Sequence, residues 1–120
     1  MKYLNKILEI NGIDDQMKEK AVPYYLEAKK RVEALPISFG EDAQMMLSNH
    51  LMALIKRILE RSFVEPVEED MMSDLSETAW DYARAVAGPI FRAEGMEEDR
   101  TEIFLVGTHM EMAMAATIAN

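Results

Sequence analysis

Leu47-Ser48-Asn49-His50-Leu51-Met52-Ala53-Leu54-Ile55-Lys56-Arg57 decides the fold. With its neighbours, it places Met46, Leu47, His50, Leu51, Leu54 and Ile58 at three- and four-residue steps, the period of an α-helix. Met45, Met52, Ile55 and Leu59 form a second apolar stripe beside the first. A helix apolar over so wide an arc is buried on more than one side. It is therefore expected at the centre of a helical protein, with one side on the core and the other on a partner subunit. Upstream, Ser38-Phe39-Gly40-Glu41 has the form of a capping box with Ser38 as N-cap, and the helix is expected to reach about Arg61.

The flanking chain keeps the helical period. Residues 2–11 suit a short helix, or a strand, ended by Asn11-Gly12. A second element runs from Asp14 to Leu35 with Met17, Ala21, Tyr24, Tyr25, Ala28 and Val32 on its apolar face. Pro23 predicts a kink or restart within it, and Pro36 closes it. Phe63 to Ser73 reads as an acidic, solvated loop anchored by Met71 and Met72. Asp74-x-x-Glu77 opens another helix, with a kink expected at Gly88-Pro89 and an end at Gly95. The last helix starts near Glu97. It carries Ile103, Val106, Met110, Ala113 and Thr117 as its main stripe and Leu105, His109, Met112 and Ala116 beside them, and it runs almost to Asn120. The expectation is an all-α bundle of four or five helices, with an N-terminal segment at 1–13 and a helical domain at 14–120.

Composition narrows the function classes. A chain of 120 residues holds one domain with a real core. Its 13 basic and 22 acidic residues give a net charge of −9, which argues against direct nucleic-acid binding and against docking on anionic membrane. No cysteine is present, so thiol chemistry is excluded. Neither a signal-peptide core nor a membrane span is visible, and the expected compartment is the cytoplasm. Methionine, at 11 residues, is unusually frequent.

The chain has two histidines, His50 and His109, each inside an apolar helical run. Arg57 lies two turns after His50, and Glu102 two turns before His109, so each shares a face with its histidine. Imidazole, arginine and carboxylate form a set that can hold and orient a phosphorylated imidazole. Neutral imidazole is a nucleophile near neutral pH, and a phosphoryl group brings about −1.5 to −2 charges that need a cation. The alternative is a pair of core histidines with satisfied rings. Phosphate-loop, H-E-x-x-H, G-x-S-x-G, EF-hand and di-iron motifs are all missing, and no enzymatic activity is expected. Zinc would need Glu102 or Glu111 beside the two histidines, and no metal or other cofactor is expected. Gly107, mid-helix, indicates close helix packing or backbone access to His109.

At these residues the chain resembles the PTS regulation domain, a helical module of bacterial antiterminators and transcriptional activators. That family carries a first histidine in a segment like L-S-D-H-I-x-F-A-I-x-R, matched here by residues 47–57. It carries a second in E-I-x-x-L-x-x-H, matched by Glu102 to His109. Asn49 stands where the family carries Asp, and the chain holds one module where members usually hold two in tandem with a nucleic-acid-binding domain. The resemblance spans roughly residues 14–118. It implies that His50 and His109 are phosphoacceptors, with Arg57, Asn49 and Glu102 orienting them. It also implies a phosphocarrier or sugar-specific component of the phosphotransferase system as donor, and a signal passed to transcription regulation through protein contacts, with a homodimer as the expected state. A phosphorylation-independent interaction or small-ligand-sensing module that keeps the fold is the alternative.

Overall fold

A computed structural model describes residues 3–119, with side chains as far as residue 116. Met1, Lys2, Asn120 and the side chain of Thr117 lie outside the described residues. The described chain is helical, without a strand: α1 (Leu4–Ile10), α2 (Asp15–Glu33), α3 (Glu41–Glu60), α4 (Glu69–Met72), α5 (Glu77–Ala93) and α6 (Arg100–Ala119). A helical bundle is thus the fold. The N-terminal stretch is helix rather than strand, and its Ile7 and Leu8 join the core.

Local chemistry sets most boundaries. Gly12 takes φ +63° after α1, which lets the Ile13 N–H turn back to the Leu8 carbonyl at 3.0 Å. Asp14 then caps α2, its carboxylate accepting from the Met17 N–H at 2.8 Å. Gly95, at φ +71°, ends α5 in the same way, with the Met96 N–H returning to the Phe91 carbonyl at 2.9 Å. α2 continues through Pro23, and α5 through Gly88-Pro89.

Three starts differ from expectation. Gly40, not Ser38, is the N-cap of α3, and it offers no side-chain bond. Ser76, not Asp74, caps α5 by accepting from the Ala79 N–H at 3.1 Å. Ser76 is itself fixed from outside, because its N–H donates to Glu111 at 2.8 Å. α6 begins at Arg100 rather than near Glu97, where Asp99 accepts from the Glu102 N–H at 3.0 Å. Within the acidic loop Met72 is buried and anchors the short α4, whereas Met71 is exposed.

α3 is the central element and packs on α1, α2, α5 and α6. This corrects the expectation drawn from its second stripe. Met52 and Ile55 are fully buried within the chain, and Met45 and Leu59 are half-buried. Four neighbouring helices cover Met52 and Ile55 fully and Met45 and Leu59 in part, so that stripe is not a free face for a partner. The exposed apolar surface near this helix is instead Met46 (55%), together with Met112 (65%) on α6.

α6 approaches the start of α5 closely. A Cβ at Gly107 would stand 2.6 Å from Leu75 Cδ2. Close packing, rather than access to His109, accounts for this glycine.

Candidate functional site

Two pairs of residues define the seam between α3 and α6. Arg57 and His50 are two turns apart on α3; Glu102 and His109 are two turns apart on α6. Arg57 meets Glu102, and His50 meets His109, so the two helices run antiparallel. Each histidine falls on its own helix's apolar stripe, and α3–α6 packing brings the stripes together.

The imidazole centroids lie 5.0 Å apart with the ring planes tilted by 51°. His50 Nε2 is buried and has no hydrogen-bond partner among the described residues. Burial, the facing His109 and the Arg57 charge, in that order, push the His50 pKa down to about 4. Burial also lowers that of His109. His50 is therefore neutral at neutral pH, which leaves a ring nitrogen with a free lone pair.

Arg57 grips Glu102 with two parallel bonds, Nε to one carboxylate oxygen at 2.6 Å and a terminal nitrogen to the other at 2.8 Å. Glu102 is 0% exposed. Such a fork holds both groups in fixed orientation. Arg57 is thus already engaged, and a phosphoryl group at either ring would compete with Glu102 for it.

Asn49 is turned elsewhere. Its amide oxygen accepts from Asn11 Nδ2 at 2.9 Å, and that nitrogen also donates to the Ile7 carbonyl at 2.8 Å. Asn49 fastens the end of α1 to α3, whereas His50, one residue on, projects about 100° further round the helix.

Sequence reasoning passed over two features. One is a cavity of about 180 Å³ beside His109, with Met46 and Met112 among its lining residues. The signal was present, since Met46 is one turn before His50 and Met112 one turn after His109. The other lies where α2 meets the end of α5. Glu94 accepts from Tyr24 at 2.5 Å and from Lys20 at 3.2 Å, and the Glu94 carbonyl accepts from Arg61 at 3.0 Å. The bond to Glu94, with burial and the Glu94 charge behind it, pushes the Tyr24 hydroxyl up to about 12. The same bond holds the Glu94 carboxyl below its ordinary range. Arg61 takes φ 54° at the end of α3, a left-handed conformation uncommon outside glycine.

No protein-family model, curated protein or solved structure matches the chain.

Proposed function

We propose that this chain is a phosphorylation-responsive regulatory module. It accepts phosphoryl groups on His50 or His109 from a phosphocarrier or sugar-specific component of the phosphotransferase system. It passes that state to transcription regulation through protein contacts in the cytoplasm. The observation that carries the reading is the meeting of the chain's two imidazoles at 5.0 Å, on a seam that also holds Arg57 and Glu102.

The transfer is a simple exchange. A neutral ring nitrogen of the acceptor attacks phosphorus on a donor phosphohistidine and forms the new N–P bond. The donor N–P bond breaks, and its electron pair returns to the donor imidazole. His109 lines the cavity and is the ring a donor reaches first. The new charge of about −1.5 to −2 then stands on the seam that already holds Glu102. Stripping a buried carboxylate of its cation costs about 3–5 kcal/mol. Arg57 cannot serve both anions fully, and the seam rearranges. The exposed Met46 and Met112 give that rearrangement an apolar face through which a homodimer senses it.

One observation favours a phosphorylation-independent interaction or ligand-sensing module: Arg57 is held by both oxygens of a fully buried Glu102. Labelling separates the two readings. Radiolabelled phosphoenolpyruvate and the general phosphotransferase enzymes should place acid-labile label on the wild type, with the label lost in His109→Ala, His50→Ala or the double variant. A folded wild type left unlabelled, beside an established acceptor labelled in the same tube, selects the second reading.

A further inference from the structure

Met46 lies one turn before His50 on α3, and Met112 one turn after His109 on α6. Because these helices run antiparallel, both methionines fall at the same end of the seam. Met46, Met112 and His109 share the walls of the cavity of about 180 Å³. Phe39, Ala43 and Ala113 supply apolar surface to the same walls, and among the described residues no carboxylate lines it. His50, 5.0 Å behind His109 ring to ring, keeps a buried Nε2 without a hydrogen-bond partner.

We infer that this cavity is a binding site for a soft monovalent cation, Cu(I), held by the thioethers of Met46 and Met112 and the imidazole of His109.

The donor set selects the ion. Thioether sulfur is a soft ligand that suits Cu(I) and serves hard cations poorly, while imidazole suits copper as well. Calcium and magnesium want carboxylate and carbonyl oxygens, which these walls do not offer from side chains. A structural zinc site wants thiolate, imidazole or carboxylate and makes little use of thioether. The chain has no cysteine, so no thiolate competes for the ion elsewhere in it. Apart from Ser38, the remaining side chains of the cavity are apolar, which disfavours a strongly hydrated cation and tolerates a weakly hydrated one. The inference stands whether or not either ring accepts a phosphoryl group, because it rests on the thioethers and is read by ion retention rather than by labelling.

The test uses the full chain. Cu(I) is titrated anaerobically against bicinchoninate, and Ag(I), a redox-stable probe of the same charge and softness, in chloride-free buffer. Native mass spectrometry counts the ions, and NMR follows the methionine methyl groups. One ion per chain is expected, with the Met46 and Met112 methyls and the His109 ring shifting and the exposed Met71 methyl unmoved. Met46→Leu/Met112→Leu nearly conserves volume and helix preference, and circular dichroism confirms its fold. It should weaken retention at least ~10-fold, the loss that even outer-shell partners of a metal cause. Met71→Leu should change nothing. Failure of the wild type to hold an ion against bicinchoninate overturns the inference. So do equal retention by the double variant, shifts centred on Met71, or Zn(II) held as tightly as Cu(I).

Discussion

Two of the polar junctions that tie this bundle together are built on opposite plans. At the junction of α2 with the end of α5, Glu94 collects Tyr24 and Lys20 near the surface, and its carboxylate has two donors. At the α3–α6 junction Glu102 is fully buried beneath a partly exposed Arg57, and two turns along the seam an imidazole nitrogen has no hydrogen-bond partner among the described residues. The first junction is a clasp in which two donors converge on one carboxylate oxygen of Glu94. The second keeps lone pairs and soft sulfur in reserve beside a cavity. A scaffold that only needed to fold would have little use for that reserve, since buried polar atoms without partners cost stability.

Cutting each junction at one atom group should break this contrast most sharply. Arg57→Ala strands Glu102 in the interior and should cost about 3–5 kcal/mol in urea denaturation. Arg57→Met with Glu102→Leu, which leaves no charge behind, should recover most of the loss. If the single variant is as stable as the wild type, Glu102 is not sealed in solution.

Acid should separate the two junctions in a smaller but ordered way. An ordinary imidazole titrates near 6.5, and His50 is held down to about 4 by burial, His109 and Arg57. A depressed pKa contributes stability that is fully present above 6.5 and is lost as pH falls toward the folded value. Glu94, depressed from 4.5, contributes stability present above 4.5 and lost only below it. Stability measured against pH should therefore first decline between about 6.5 and 4 at the histidine seam, and His50→Phe should flatten that decline. A His50 ring that titrates near 6.5 by NMR would refute the ordering.

The smallest effect belongs to the clasp. Tyr24→Phe removes one hydrogen bond at a partly solvated site and should cost about 1 kcal/mol. Its loss should also let Glu94 titrate closer to the ordinary carboxylate range. An unchanged Glu94 titration would show that Lys20 and Arg61 hold it without Tyr24.

Much of this was legible in the sequence, for reasons that can be named. The helices could be read because a 3.6-residue period repeats in every long segment, and Asp14, Gly12 and Gly95 marked their ends by chemistry that is local. Ser38 and Asp74 misled because a capping pattern fixes residue types but not backbone direction, and the chain turned two residues later in each case. The partner face assigned to Met52 and Ile55 failed for a different reason. Periodicity reports how wide an apolar arc is, not how many helices cover it. His50, His109, Arg57 and Glu102 were all identifiable, each arginine or carboxylate on the face of its own histidine. The cross-pairing of Arg57 with Glu102 depends on the two helices running antiparallel, which no single segment reveals. Tyr24 and Glu94 are far apart in the chain and share no motif, so their junction left no trace. Met46 and Met112 were visible but were counted as apolar filling rather than as sulfur.

The fork between Arg57 and Glu102 also governs how the bundle is able to move. Sliding α6 along α3 by even one turn would carry Glu102 away from the only cation that forks onto it. Translation along the seam is therefore braked. At the far end alanines and methionines surround the cavity, and among the described residues no second buried charge pair joins the two helices there. The seam is thus pinned at one end, by Arg57 and Glu102, and lined by apolar side chains at the other. Whatever enters the cavity acts about three turns away from that pin.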